Sequence, residues 1–386
     1  MSGVGSEVAS SATRDLRSNC FDFIRLIAAV SVVVAHGVRH LDAPFLGIAP
    51  GADVLHGGKE GVRVFFILSG MLVFMSALRC LELGRPLRSF FANRFLRVAP
   101  AIYAYAIVVS LVLLLIGAIS ARSLISKTYL AWLFGNCALY PLYFPPEHRS
   151  IGVGVLNGSL WTIPVEVMFY LVVPGLAWLW WKGRRHAVAW ILGASALVAT
   201  IVLDQVQRAH PAWFGNGGED EALWFKIYFA ALPPWLYWFA LGIAWFYLWE
   251  RAPKAIGWFV ASCAAYVGLA FVWYDALAPL GAFREIAYGI PLSYATVWFG
   301  FKGPVIFRDL SKVGDLSYGV YIWHMVVVNL MLYAGLERSW PMAALVPFAI
   351  AGTLAMAWLS WWLVERPALR RKPYSVRAPK SESPPP

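Results

Sequence analysis

Long apolar runs separated by short polar segments form the dominant pattern along this chain. A helix that crosses a membrane needs about 20 mostly apolar residues. Ten runs come close to that length, and they cover residues 20–39, 61–80, 98–118, 162–181, 187–204, 224–248, 256–273, 285–301, 314–334 and 342–364. The pattern therefore predicts an all-α integral membrane protein, a polytopic bundle of about ten transmembrane helices.

A further apolar run, 127–144, differs from these ten. It is shorter and is interrupted by Gly135, Asn136 and Pro141. A broken run of this length is typical of a re-entrant or interfacial segment rather than a span.

Basic residues are distributed unevenly between the predicted loops. Those in the N-terminus, the even-numbered loops and the tail outnumber those in the odd-numbered loops by roughly three to one. Loops rich in Lys and Arg face the cytoplasm. The bias predicts that both termini are cytoplasmic, and an eleventh span at 127–144 would scramble it downstream.

Composition excludes a soluble globular domain. Hydrophobic residues make up 60% of the chain and charged residues only 14%, against roughly half and a quarter in soluble domains. The net charge of +11 comes from short basic clusters between apolar runs, as in loops that face an anionic leaflet. We therefore expect membrane lipids and no nucleic acid as partners. The four cysteines lack zinc-ligand or disulfide spacing, so no metal site is expected.

The first predicted span carries ionisable residues, which are costly in a membrane and generally face a cavity, a partner or a substrate path. Arg25 and His36 are eleven residues apart, so they share one helix face and lie roughly 16 Å from each other. Asp22 can pair with Arg25 on that face. A purely structural alternative is an Asp22–Arg25 pair and a histidine satisfied by a neighbour near the outer interface.

Two arginines lie where the third span begins, in the sequence ANRFLRVAP. Arg94 and Arg97 are one turn apart, and two guanidiniums at that spacing suit a bidentate grip on phosphate. A basic loop that only sets the topology accounts for them equally well.

Later spans contain further polar and aromatic candidates for a pocket. Glu166 lies inside an apolar run near Trp161, and a buried carboxylate there needs a cation or a hydrogen-bond donor. Tyr318, Tyr321 and His324 follow at steps of three, so they share one face of the ninth span near its cytoplasmic side. That face forms either a polar pocket or an aromatic interface belt.

Six segments occur together in a recognisable order along nearly the whole chain. They are FDFIRLIAAVSVVVAHG, GVRVFFILSGMLV, NRFLRVAPAIY, GSLWTIPVEVMFYL, LSYGVYIWH and VERPALRR. Together they resemble acyltransferase family 3, the membrane O-acyltransferases that include bacterial O-antigen and exopolysaccharide acetylases. The resemblance implies an acyltransferase transmembrane domain over 20–372. The Pro-, Ser- and Lys-rich segment 373–386 is predicted to be a disordered tail, and the bias of basic residues predicts that this tail and the N-terminal segment 1–19 are cytoplasmic.

The resemblance also implies site residues and substrates. The family's Arg-x10-His motif falls on Arg25 and His36, and its Arg-x-x-Arg motif falls on Arg94 and Arg97. His36 is expected to act as general base, with Arg25 positioning the donor and the arginine pair binding acyl-CoA. Arg63 stands where many relatives carry aspartate.

The resemblance implies an acyl-CoA donor, with acetyl-CoA expected and a succinyl or other acyl group left open, and no tightly bound cofactor is expected. The acceptor is expected to be a hydroxyl of an envelope or exported polysaccharide, or of its lipid-linked precursor, reached from the bacterial inner membrane. Some relatives continue into an extracytoplasmic hydrolase-like domain, which this chain is expected to lack.

Two other functions remain open, one from the resemblance and one from the residues. Relatives also acylate macrolides and other small molecules. A transporter or flippase would place the same intramembrane charges along a substrate path. Direct transfer is favoured over an acyl-enzyme because no Ser or Cys is paired in sequence with His36, and Ser69 is a remote candidate.

Overall fold

The computed structural model describes residues 19–48, 55–211, 223–273, 275–308 and 314–373. Within these ranges the chain forms α-helices with short 3-10 and π segments, and no β-sheet. The α-helices are α1 (Phe21–His40), α2 (Leu55–Glu82), α3 (Leu87–Leu115), α4 (Lys127–Cys137), α5 (Thr162–Trp181), α6 (Arg185–Ala209), α7 (Leu223–Phe229), α8 (Leu236–Leu248), α9 (Ile256–Val267), α10 (Arg284–Lys302), α11 (Ser317–Tyr333), α12 (Leu336–Ser339), α13 (Met342–Ser360) and α14 (Arg366–Arg370).

Six helical segments of the described chain are long and apolar enough to cross a membrane. They are Phe21–His40, Gly58–Glu82, Leu87–Leu115, Gly158–Trp181, Arg185–Ala209 and Met342–Arg370. The all-α membrane fold is thereby confirmed, whereas the count of ten spans stays a prediction. The predicted segments 1–19 and 373–386 lie outside the described residues, apart from one residue each.

The third helix begins earlier than the apolar pattern indicated. α3 starts at Leu87, eleven residues before the predicted boundary at 98. The stretch 87–97 contains no proline, and charged side chains end a hydrophobic run without ending a helix. Arg94 and Arg97 are therefore residues of α3 itself.

The prediction of one continuous span over 224–248 is wrong, because the structure has two helices there with a turn between them. α7 ends at Phe229, a 3-10 turn covers Pro233–Trp235, and α8 begins at Leu236. Proline has no N–H for the helical ladder and disfavours helical geometry in the residue before it, so Pro233 and Pro234 separate the two helices.

The interrupted run 127–144 contains only the short helix α4. Its 11 residues correspond to about 16 Å, roughly half of the hydrocarbon thickness. The Ser126 side chain caps the helix by accepting a hydrogen bond from the Tyr129 N–H at 3.1 Å. The helix is therefore too short to be an eleventh span, as predicted.

Helix α11 lies in the interior of the bundle. Thirteen of its 17 residues are buried, and it packs against α1, α3 and α13. Polar groups in such apolar surroundings need partners within the protein. The positions of Tyr318, Tyr321, His324 and Asn329 on α11 therefore decide where polar contacts form.

Helices α2 and α8 cross with their backbones in direct contact. A Cβ at Gly242 would lie 2.0 Å from the Ile67 carbonyl oxygen, and one at Gly70 would lie 2.2 Å from the Phe239 carbonyl oxygen. Small residues at a crossing permit this close approach of two helices in a membrane.

Gly242→Ala is therefore expected to destabilise the protein by about 1–3 kcal/mol, because the added methyl group forces α2 and α8 apart. Thermal unfolding of the purified protein in detergent measures this. Gly193→Ala is the matched control, since a Cβ at that helical position has nothing within 4 Å. Equal melting temperatures for the two variants would contradict the close crossing.

Candidate active site

Two histidines from different helices form the centre of a first polar site. His36 Nδ1 on α1 lies 2.9 Å from His324 Nε2 on α11. The two rings are nearly parallel, with centroids 5.0 Å apart. His324 is completely buried, whereas His36 is half-buried. The buried His324 ring therefore helps to position the more accessible His36 ring.

Further neighbouring groups contact both nitrogens of the His324 ring. His324 Nδ1 lies 2.7 Å from the Tyr321 carbonyl oxygen, and Ser159 Oγ lies 3.3 Å from His324 Nε2. The Tyr321 hydroxyl donates to the Ser159 carbonyl at 2.6 Å and accepts from Thr162 Oγ1 at 2.9 Å. These contacts join α11 to the start of α5.

The segment before α5 positions Ser159. Asn157 Oδ1 accepts a hydrogen bond from the Ser159 N–H at 3.0 Å and so caps the 3-10 turn Gly158–Trp161. Asn157 Nδ2 donates to the Ile322 carbonyl of α11 at 2.7 Å. Neither Asn157 nor Ser159 was predicted from the sequence, where they form only a common Asn-x-Ser triplet or turn.

A second polar site contains the arginines of α1 and α3. Arg97 Nη2 lies 2.5 Å from Asp315 Oδ2, and Arg25 Nη1 lies 3.6 Å from the same oxygen. Arg25 also pairs with Asp22 at 2.9 Å, as predicted. The Ser317 N–H donates to Asp315 Oδ1 at 3.2 Å, so Asp315 bridges both family motifs at the start of α11.

Asp315 was not predicted as a site residue. Its place at the start of the ninth predicted run, 314–334, where it can cap a helix, is the one signal in the sequence. That signal does not reveal that the carboxylate would meet two arginines from distant helices.

Arg94 lies one turn from Arg97 but has different surroundings. Its guanidinium carbon is 5.8 Å from the centre of the Phe90 ring and 5.9 Å from that of Tyr170. Arg94 Nε is buried and has no hydrogen-bond partner among the described residues. A buried donor of this kind can take an anionic ligand.

Glu166 is satisfied by hydroxyl groups. The Tyr170 hydroxyl donates to Glu166 Oε1, and Ser69 Oγ donates to the same oxygen at 3.4 Å. These hydrogen bonds therefore account for Glu166 and Ser69 as structural residues. Trp161 lies in an aromatic cluster with Phe229 and Trp235, whose ring centres are 5.1 and 4.7 Å away.

The shared face of α11 serves both polar sites rather than one. The Tyr318 hydroxyl donates to the Val98 carbonyl at 3.0 Å, and the Arg97 guanidinium lies 5.5 Å from the Tyr318 ring centre. His324, six residues later, lies beside His36 instead. Six residues advance a helix by about 9 Å, so His324 meets a different set of partners from Tyr318.

Arg63 forms a separate buried cluster. It pairs with Glu60 on its own helix and, at 2.5 Å, with Glu285 of α10. Its guanidinium lies 5.0 and 5.1 Å from the ring centres of Trp238 and Tyr288. These contacts account for a basic residue at this position.

Lys372 lies just after α14 and adds a charge at the second site that depends on pH. Burial, together with the nearby guanidiniums of Arg97 and Arg94, lowers the pKa of Lys372 to about 7. The Lys372 amine is therefore only partly protonated at neutral pH, and an anion bound nearby would favour its charged ammonium form.

Comparison with known sequences identifies the protein family that contains these two sites. The family described as an acyltransferase domain matches residues 18–365. The chain belongs to acyltransferase family 3. It is an acyltransferase, and the matched range contains the His36–His324 pair and the Arg25–Arg97–Asp315 cluster.

Curated relatives agree with this assignment. Nodulation protein 10 of Rhizobium leguminosarum bv. viciae is 30% identical over 370 residues, which are 91% of this chain and 93% of the relative. The O-acetyl transferase of Shigella phage Sf6 is 26% identical over 92% of this chain and 97% of its own. Peptidoglycan O-acetyltransferase OatA of Listeria monocytogenes is 25% identical over 81% of this chain and 51% of its own. No solved structure gives a significant match.

Asp315→Asn is expected to destabilise this acyltransferase by about 3 kcal/mol or more, because it leaves two arginines without their shared carboxylate. Asp22→Asn is the matched control, since Asp22 is more exposed and its ion pair in the described part of the chain is with Arg25, so that a loss of about 1 kcal/mol or less is expected. Thermal unfolding in detergent compares them, and a larger loss for Asp22→Asn would contradict the bridging role of Asp315.

Proposed function

We propose that this protein moves an acetyl group from cytoplasmic acetyl-CoA to a hydroxyl of an envelope or exported polysaccharide, or of its lipid-linked precursor. The observation that carries the proposal is the separation of the two polar sites along α1. The cationic site contains Arg25, and the histidine site contains His36, roughly 16 Å away along the same helix. A donor with an anionic end and a distant thioester fits such an arrangement.

The proposed topology has ten spans in a bacterial inner membrane, with both termini in the cytoplasm. This orientation follows from the excess of basic residues in the even-numbered loops and the tail. It places the cationic site at the cytoplasmic side and His36 toward the outer side. The donor then enters from the compartment that contains acyl-CoA.

The contacts of the arginines suggest different tasks at the donor end. Arg97 and Arg25 are engaged by Asp315, which holds both guanidiniums in place. Arg94 has a buried Nε donor and no partner for it in the described part of the chain. We therefore assign the main phosphate contact to Arg94, with Arg97 and Lys372 adding positive charge and Arg25 positioning the donor.

The transfer step uses His36 as general base. The imidazole accepts the proton of the acceptor hydroxyl while that oxygen attacks the thioester carbonyl carbon. The carbon–sulfur bond then breaks, and the CoA thiolate leaves and takes the proton from His36. Loss of a general base costs about 10²- to 10⁴-fold in rate.

A glycan acceptor is proposed because the Listeria relative is named a peptidoglycan O-acetyltransferase. The names of the other two relatives state no acceptor. The acceptor is therefore the part of the proposal that the first experiment must identify directly.

We expect membranes containing the wild type to transfer label from radiolabelled acetyl-CoA to host envelope glycans. His36→Ala should lose about 100-fold or more of this activity, and Arg94→Ala should bind the donor weakly. Arg88→Ala is the matched control, because Arg88 is an exposed arginine on the same helix.

The outcomes separate the alternative functions. Wild-type transfer by His36→Ala would overturn the base assignment. Label found only in an added macrolide or other small molecule would move the acceptor out of the envelope. Absence of both labelled product and CoA release would favour a transporter or flippase.

The KM for acetyl-CoA is expected to rise about fivefold between pH 6 and pH 8, the equivalent of about 1 kcal/mol of charge interaction. Lys372 is protonated below about pH 7, so its attraction for phosphate is present at low pH and is lost as the pH rises. Lys372→Met should show a high KM with little pH dependence. An unchanged pH profile in this variant would contradict the contact.

A further inference from the structure

We propose that His324 is a positioning residue that keeps a proton on Nδ1 of His36 and leaves Nε2 of His36 as the free base. The inference rests on the proposed function for its role in catalysis. The hydrogen-bond assignment itself rests only on the contacts of the two rings.

The tautomer of His324 follows from its carbonyl contact. Its Nδ1 lies 2.7 Å from the Tyr321 carbonyl oxygen. A carbonyl oxygen accepts hydrogen bonds and cannot donate them, so this ring nitrogen must carry a hydrogen. In a neutral ring, Nε2 of His324 is then an acceptor.

This acceptor determines the tautomer of His36. Its Nδ1 lies 2.9 Å from His324 Nε2, and a hydrogen bond between them requires that His36 Nδ1 donates. Neutral His36 then has no proton on Nε2. The half-buried ring therefore presents a lone pair, as a general base requires.

The surroundings disfavour a second proton on His324. The ring is completely buried, and an isolated buried charge is costly. Arg39 of α1, a charged neighbour that acts on His36, is cationic and opposes a further positive charge there. The His40 ring of the same helix lies 5.7 Å from the His36 ring between centroids. From α11 and the 3-10 turn the pair meets Tyr321 and Ser159, whose side chains end in hydroxyls.

The pair also suits the return of the proton. When His36 accepts the hydroxyl proton on Nε2, its Nδ1–H still donates to His324. A neutral imidazole stabilises the resulting imidazolium less strongly than a carboxylate in the same place would. The proton can therefore pass readily from His36 to the departing thiolate.

Nitrogen-15 NMR of the histidine-labelled, full-length protein in nanodiscs tests the assignment without any substrate. The His36 signals, identified by their loss in His36→Ala, should report a proton on Nδ1 and none on Nε2. His324→Leu should allow the other tautomer to appear. A wild-type His36 with its proton on Nε2 would overturn the proposal.

Kinetics of the same samples test the catalytic consequence. His324→Leu should lower kcat by about 100-fold and leave the KM for acetyl-CoA within about twofold. His324→Gln, whose amide oxygen can accept the same hydrogen bond, should recover about tenfold of that loss. Loss of donor binding in place of kcat would overturn the positioning role.

Two controls keep the interpretation specific. His186→Leu removes an exposed histidine on α6 and should leave activity and the His36 signals unchanged. Ser159→Ala should lower kcat by only about threefold, as expected for loss of one weak hydrogen bond. Its complete inactivation would place the Ser159 hydroxyl in the chemistry and overturn a purely positioning role for His324.

The two proposals fail in different ways. If the purified protein transferred no acyl group to any glycan, the proposed function would fall while the NMR signals still decided the His36 tautomer. If transfer were found and the wild-type tautomer were reversed, only the role of His324 would fall.

Discussion

The burial of helix α11 is the constraint on which the two polar sites depend. Inside an apolar bundle, polar groups have no water to bind and must find partners on neighbouring helices. Asp315 therefore binds arginines of α1 and α3, Tyr318 binds a backbone carbonyl of α3, and His324 binds His36 of α1. The same contacts that satisfy α11 assemble both sites.

Helix α1 connects the two polar sites, because it contributes a residue to each of them. A continuous helix holds Arg25 and His36 roughly 16 Å apart, so the distance between the two polar sites depends little on the loops. Asp315, two residues before α11, and His324, on α11, clamp this helix near its two ends. Such clamping matters for chemistry because small errors in position cost large factors in rate.

The sequence singles out residues whose charge conflicts with their apolar surroundings. Arg25, His36, Arg94 and Arg97 stand out because charge within or beside an apolar run is costly, and their spacing also matches the motifs of acyltransferase family 3. Helix boundaries were a weaker inference, as α3 shows, because hydropathy reports the membrane and not where the helix begins.

The sequence by itself determined the class of protein, because the length and number of apolar runs and the Arg-x10-His and Arg-x-x-Arg spacings are local properties of the chain. Only the tertiary structure decided that Asp315 joins the two arginine motifs and that His324 supports His36. These partners are 218 and 288 residues apart along the chain, and no local periodicity carries information about which buried polar groups meet across a helix interface.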